Sequence, residues 1–165
     1  MRPRTIEDQD EQLDESVEVT PPTFLEDRLR IRDRFVLVVD NDPETHLALQ
    51  MFLQVALEGV RVISASSPHE ALAALRDRPV DLVVIGEHVR STKGTPFIDL
   101  CHDRYPRVPR VAVGQQPSTR ANATLPPPVD GRMAVSKIHE LLGGHPEERT
   151  KALERAEAFQ SEFAG

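Results

Sequence analysis

Four short runs of polar or small residues follow apolar stretches, and these runs are where the chain could carry chemistry. They are Asp40-Asn41-Asp42, Gly86-Glu87, Gly114-Gln115 and Pro126-Pro127-Pro128. Two carboxylates spaced as in Asp40 and Asp42 could hold Mg²⁺, which prefers oxygen ligands. They could also act as nucleophile and general acid in phosphoryl transfer. The first run is therefore the main candidate site.

These runs are positioned by apolar segments that alternate with amphipathic ones. Strands are predicted at 35–40, 61–65, 81–86, 110–114 and, more weakly, 123–125, and the apolar runs at 35–40 and 81–86 are typical of strands buried on both faces. Between them, helices are predicted from Asp42 as N-cap to about Leu57, from a capping box at Ser67, from Thr95-Pro96 to about Tyr105, and over 130–142. This alternation predicts a parallel sheet covered on both faces, with ligands at the carboxyl ends of its strands.

Residues 34–144 resemble the receiver domain of two-component response regulators. LVVDNDPE is similar to the family's first strand and acidic motif, and PHEALAALRDRPVDLVVIGEHVRSTKG is similar to its second helix, third strand and following loop. Gly94 lies eight residues after Gly86, as the family's loop glycine follows its phosphoacceptor, and 128–142 is similar to the last proline and helix. The resemblance implies an α/β fold with a flavodoxin-like, doubly wound, five-stranded parallel sheet.

The resemblance also implies a phosphorylation site, and this chain departs from it at most positions. Asp40 matches the first metal-binding acid, whereas Asn41 stands at the second. The phosphoacceptor position holds Gly86, the Thr/Ser position Gly114 and the Lys position Pro127. Because glycine cannot be phosphorylated, we expect a pseudo-receiver that is not an enzyme and that binds another protein independently of phosphorylation.

Two acidic neighbours do not restore the site. A one-residue slip along a strand turns a side chain to another direction, so we expect Glu87 to point away from the pocket into solvent. Asp42 is explained as a helix N-cap, which leaves Asp40 and Asp42 as a weak Mg²⁺ site at most. We therefore expect neither a functional metal nor another cofactor.

The stretch between the fourth and fifth strands is short. Pro127 follows Gly114 by only 13 positions, well below the family's spacing, and QQPSTRANATLPPP does not favour a helix. We expect the family's fourth helix to be absent or reduced to a turn. The surface that the family forms from its fourth helix, fifth strand and fifth helix would then be altered.

Both ends of the chain lie outside the receiver-like region. Together they carry the net charge of −7 of the whole chain. Residues 1–22 are predicted to be a disordered acidic tail, and 23–33 a short helix or linker. Residues 145–165 are predicted to form an extra C-terminal helix with Ala152, Ala156, Phe159 and Phe163 on one face. That face would pack on its own domain, or join a partner or a second copy as a homodimer.

Composition excludes several function classes. The 165 residues have one cysteine, no apolar run long enough for a membrane span and no N-terminal secretory pattern, which favours a cytosolic protein. The chain lacks the basic clusters that nucleic-acid binding needs. The six histidines, at positions 46, 69, 88, 102, 139 and 145, show no metal-binding spacing and are expected to be solvated.

Three other functions compete with the pseudo-receiver. A conventional phosphorelay receiver is the nearest, and Gly86 argues against it. A phosphohydrolase of the haloacid-dehalogenase type would use Asp40 and Asp42, but the chain lacks the further acidic pair and a suitably placed lysine. A nucleotide-binding domain would need a glycine-rich phosphate loop after a strand, and none is present.

Overall fold

The structure, a computed structural model, describes residues 34–164. The predicted tail at 1–22 and the predicted helix or linker at 23–33 lie outside these residues. The five strands are β1 (Arg34–Val39), β2 (Val60–Ala65), β3 (Val80–Gly86), β4 (Arg110–Val113) and β5 (Ala123–Leu125). The five helices are α1 (Pro43–Ala56), α2 (Pro68–Asp77), α3 (Phe97–Arg104), α4 (Gly131–Leu141) and α5 (Pro146–Ala164).

The strands form one parallel sheet in the order β2-β1-β3-β4-β5. This is the strand order of the flavodoxin-like doubly wound fold, and it confirms the predicted fold class. β1 leads through α1 to β2 on one side, whereas β3 pairs with β1 on the other side. The order therefore reverses between β1 and β3, and this switch point opens a crevice at the carboxyl ends of the two strands.

Alternating residues of β1 enter two separate cores, because successive side chains of a strand point to opposite faces. Val36 and Val38 pack under α1, α4 and α5, while Leu37 and Val39 pack under α2 and α3. All four are fully buried. The continuous apolar run that predicted a strand covered on both faces is explained by this double burial.

Helix starts follow the predicted capping pattern at two of the three sites compared. Asp42 caps α1 by accepting a hydrogen bond from the Glu44 amide, and Ser67 caps α2 by accepting one from the Glu70 amide. α3 differs, since it begins after Pro96 without a side-chain cap. Within residues 34–164, no helix combines the length and the hydropathy needed to cross a bilayer.

The connection from β4 to β5 contains only turns and bends between residues 114 and 122, so the predicted loss of the family's fourth helix is confirmed. Arg110, which is largely buried, holds this connection in place. Its Nε donates to the Arg120 carbonyl at 2.8 Å, and its backbone amide donates to Asn122 Oδ1 at 2.9 Å. These hydrogen bonds fix the connection between β4 and β5 in the absence of a helix.

The C-terminal helix α5 packs on α1 and α4, as one of the two predicted alternatives states. Ala152 and Ala156 are fully buried in the core beneath it. Arg155 donates from Nε and Nη2 to the Ala56 carbonyl at 3.0 and 2.7 Å, which closes the carboxyl end of α1. The apolar face of α5 is therefore used within the chain.

Candidate functional site

Asp40 lies at the switch point, immediately after β1 and beside the end of β3. The register pairs Val39 with Ile85, so Asp40 comes next to Gly86 across the two strands. The Asp40 side chain is almost completely buried. Its Oδ1 accepts a hydrogen bond from the Asp42 amide at 2.9 Å, and His46 hydrogen-bonds its backbone carbonyl.

Gly86 leaves the space that the Asp40 carboxylate fills. A Cβ atom on residue 86 would lie 2.6 Å from Asp40 Oδ2 and 2.9 Å from its Cγ, closer than atoms can approach without displacement. Because Asp40 is buried and held by hydrogen bonds, it cannot simply swing away. The Asp40 carboxylate therefore occupies the place where a side chain of residue 86 would begin.

His88 connects the loop after β3 with the residues after β1. Its Nε2 lies 2.6 Å from Asn41 Oδ1 and 3.1 Å from Asp40 Oδ1. The His88 side chain is half exposed, whereas that of Asp40 is 3% exposed. Sequence reasoning missed this contact because it treated His88 as solvated. A usable signal was present, since His88 comes two residues after the end of a buried strand.

Two other histidines also differ from the expectation of solvated side chains. His46 hydrogen-bonds the Asp40 carbonyl, as described above, and its Nδ1 is buried. His139 is buried between α4 and the Gly143-Gly144 turn, where a Cβ on Gly144 would lie 2.3 Å from its ring. Burial lowers the pKa of His139, with Arg149 acting in the same direction.

Asp42 is exposed and belongs to the start of α1. Its Oδ1 accepts from the Glu44 amide at 3.3 Å and its Oδ2 accepts from Thr45 Oγ1 at 2.8 Å. The hydrogen bond from Thr45 lowers the pKa of Asp42, and the nearby His88 contributes in the same direction. Both carboxylate oxygens are thus committed to the first turn of the helix.

Glu87 and Gly114 form a second pair one strand away. The Glu87 side chain is exposed and lies over Gly114, where a Cβ atom would come within 2.4 Å of its Oε1. The sequence predicted an exposed side chain, but not this position above β4. Glu87 lines an open cleft of about 420 Å³ at the ends of β3 and β4, together with Asp99, Ser118 and Arg120.

Pro127, at the family's lysine position, lies in an exposed turn after β5 and is joined to Pro128 by a cis peptide bond. The structure thus brings Asp40, Asn41, Asp42 and Gly86 together at the switch point. Glu87 and Gly114 lie beside them at the ends of β3 and β4.

A divalent cation, which the receiver fold implies, does not fit these groups as they stand. Asp40 Oδ1 already accepts from the Asp42 amide and faces His88 Nε2, while Oδ2 lies against Gly86. Asn41 offers a neutral amide oxygen that also faces His88. Mg²⁺ requires near-octahedral oxygen coordination at close range, whereas Asp40 Oδ1 and Asn41 Oδ1 already face protein donors and Asp40 Oδ2 is confined beside Gly86.

An apolar groove lies on another part of the surface, between α1, the start of α4 and α5. It measures about 580 Å³, and Leu47, Met51, Phe52 and Phe159 are among the side chains that line it. The Phe52 and Phe159 rings meet edge to face at 5.2 Å. Gly131 admits the Phe52 ring, which a Cβ there would meet at 2.2 Å.

Comparison with known proteins gives structural neighbours only. No family model and no curated protein sequence matches the chain. A signal receiver domain of an HD domain-containing protein from Pseudomonas fluorescens Pf-5 superposes with a TM-score of 0.57 at 21% identity, covering 67% of this chain and 95% of that chain. The chemotaxis response regulator CheY4 of Vibrio cholerae superposes with a TM-score of 0.57 at 19% identity, covering 66% and 98%.

A response regulator from Thermotoga maritima is similar to the same extent, with a TM-score of 0.57, 19% identity and coverage of 67% and 98%. The chain therefore has the receiver fold, with sequence identities too low to carry function across. Nearly the whole of each neighbour is matched by about two thirds of this chain, and the flavodoxin-like strand order accounts for that likeness.

Proposed function

We propose that this protein is a pseudo-receiver: a cytosolic, non-enzymatic protein-interaction module of two-component-type signalling that works without phosphorylation. The main support for this proposal is the close contact between Gly86 and Asp40. Gly86, which the resemblance places at the phosphoacceptor position, has no side chain, and the space for one is taken by the buried Asp40 carboxylate. The receiver fold of the neighbours supports the signalling class, and the altered pocket supports independence from phosphorylation.

This proposal is tested by offering the protein a small phosphodonor. The chain is incubated with acetyl phosphate and Mg²⁺, and its intact mass is measured alongside a receiver domain that has an aspartate acceptor. We expect an unchanged mass, because position 86 has no acceptor. Gain of a phosphoryl group that disappears in Asp40→Asn or Glu87→Gln would overturn the proposal.

The apolar groove is the surface that we assign to the interaction. Leu47, which is 59% exposed, continues an apolar lining that includes Met51, Phe52 and Phe159, and a contiguous apolar surface of this kind is typical of a binding site. The charged residues among those lining the groove, Glu44 and Asp130, are both acidic. This charge favours one kind of occupant, an amphipathic helix of another protein with leucines on one face and lysines or arginines beside them.

A model helix tests this surface. A leucine-lysine amphipathic peptide is titrated into the protein and binding is followed by amide NMR shifts. We expect Leu47→Glu to weaken binding at least tenfold, because it places a charge in the apolar wall. Val55→Glu is the matched control, since Val55 is also on α1 and 42% exposed but does not line the groove. Equal losses in both variants would overturn the assignment, as would equal binding of a leucine-glutamate peptide.

A second copy of the chain is the competing occupant. The apolar face of α5 that suggested a homodimer packs on α1 and α4, so a dimer would have to use other surface. Sedimentation of the protein at rising concentration separates the two cases. A monomer supports the assignment of the groove to a helix of another protein. A dimer that Leu47→Glu dissociates would assign the groove to a second copy of the chain and overturn that assignment.

The phosphohydrolase alternative finds weaker support. It needs Asp40 as nucleophile and Asp42 as general acid, but both oxygens of Asp42 accept hydrogen bonds from the first turn of α1. The hydrogen bond from Thr45 also lowers the pKa of Asp42, which keeps it ionised and unsuited to donate a proton at neutral pH.

A further inference from the structure

Three polar atoms converge at the switch point from three positions in the chain. Asp40 Oδ1 and Asn41 Oδ1 come from the residues after β1, and His88 Nε2 comes from the loop after β3. The nitrogen lies 2.6 Å from one oxygen and 3.1 Å from the other, both within hydrogen-bonding range. One imidazole thus satisfies two oxygens that would otherwise face the crevice.

We propose that the His88 imidazole stands in for a divalent cation and keeps cations out of this crevice. A cation between the strands would join oxygens of the loop after β1 to the loop after β3. His88 makes the same connection with its own N–H group. Because the joining group is covalently part of the chain, the connection does not depend on the concentration of an ion.

The surroundings of His88 are consistent with a fixed connection. The next residue, Val89, is buried, its amide donates to the Gly86 carbonyl at 3.1 Å, and its carbonyl accepts from the Phe97 amide at 2.9 Å. The loop is therefore held on both sides of the imidazole. On the opposite side, the second oxygen of Asp40 lies against Gly86, which leaves it little freedom to turn towards a cation.

Mn²⁺ is a suitable probe, because it takes oxygen ligands as Mg²⁺ does and broadens nearby amide signals. Mn²⁺ is titrated into the full chain and into His88→Ala while amide spectra are recorded. In the natural protein, we expect broadening at residues 40–42 and 86–88 to be no stronger than at exposed carboxylates elsewhere. In His88→Ala, freed oxygens should increase the affinity at residues 40–42 by roughly tenfold.

Two further variants make the result specific. His102→Ala is the matched control, since it removes an exposed histidine that lies 3.1 Å from a carboxylate oxygen of Asp103, away from the switch point. It should leave the broadening at residues 40–42 unchanged. Asp40→Ala in the His88→Ala background should abolish the new site. If His88→Ala lowers the thermal midpoint too far for spectra, His88→Gln supplies an amide donor and should retain the exclusion of Mn²⁺.

Strong local broadening at Asp40 in the natural protein would overturn the inference, and so would identical titrations of the natural protein and His88→Ala. The inference deepens the proposed function and rests on it, since it concerns the same crevice. The two fail separately. Mn²⁺ binding without phosphoryl transfer would overturn the role of His88 alone, whereas a gain of phosphoryl mass at Asp40 or Glu87 would overturn the pseudo-receiver itself.

Discussion

The Oδ2 atom of Asp40 lies against Gly86, so close that a Cβ on residue 86 would be only 2.6 Å away. Position 86 and position 40 are therefore complementary in shape across β1 and β3. The buried carboxylate is tolerated because it is hydrogen-bonded, with the Asp42 amide and His88 as its partners. Any side chain at position 86 must displace a group that is held on several sides.

Gly86→Ala should lower the free energy of unfolding by about 1–3 kcal/mol, because the methyl group overlaps Asp40. Asp40→Ala should also destabilise the protein, since it removes a buried acceptor. In the double variant the overlap is gone. Its loss of unfolding free energy should therefore be smaller than the sum of the two single losses by about 1 kcal/mol or more. Urea unfolding of the natural protein, both single variants and the double variant measures this coupling. Additive costs would contradict the overlap.

His139 should make stability depend on pH. Burial lowers its pKa below the ordinary 6.5, so the unfolded chain takes up a proton at a higher pH than the folded chain does. Stability should therefore be full above pH 6.5 and decrease as the pH falls below it. His139→Leu should flatten this part of the profile, whereas His69→Gln, at an exposed position, should not. The thermal midpoint is measured as a function of pH for the natural protein and both variants. The same dependence on pH in all three proteins would contradict the prediction.

Cys101 should not react with thiol reagents in the folded protein. Its side chain is 1% exposed, and burial raises the pKa of the thiol to about 12. Because the thiolate is the reactive form, iodoacetamide at neutral pH should leave the mass unchanged, and modification should appear only when urea unfolds the chain. Rapid alkylation without denaturant would show that α3 does not hold Cys101 as described.

Arg155→Ala should lower the free energy of unfolding by about 1–2 kcal/mol, because the Ala56 carbonyl loses two hydrogen bonds from a charged donor. Lys151→Ala on the same helix is the control, since Lys151 is exposed and should cost little. Arg155→Lys should lie between the two, because a single ammonium cannot reproduce the paired contact. Equal stability of the alanine variants would mean that α5 is held by its apolar face alone.

The fold was predictable from sequence because it depends on patterns within short stretches of the chain. The central strands β1 and β3 are largely apolar runs, and Asp42 and Ser67 mark helix starts with residues that cap well. The missing helix was also predictable, since nine residues between β4 and β5 leave no room for one with its turns. These features are local in sequence, so no knowledge of distant contacts was needed.

The site was predictable only in part, for the opposite reason. The sequence predicts Asp40 at the end of β1 and Gly86 at the end of β3. It does not indicate that the Asp40 carboxylate fills the space where a side chain of residue 86 would begin. The contact between His88 and Asn41 spans 47 positions. The loop that carries His88 is held by hydrogen bonds of Val89 to Gly86 and Phe97, which the sequence pattern did not indicate. His139 was missed similarly, because the Gly143-Gly144 turn and α5 cover it.

The short connection between β4 and β5 has a consequence for how the sheet assembles. Val111 and Ala123 pair at a separation of 12 residues, whereas Val36 and Leu82 of β1 and β3 pair at a separation of 46. Closing the smaller loop costs about 1 kcal/mol less in chain entropy. The edge that lost its helix is therefore the part of the sheet with the most local contacts. Among the strand pairs of residues 34–164, this one carries the smallest cost of loop closure.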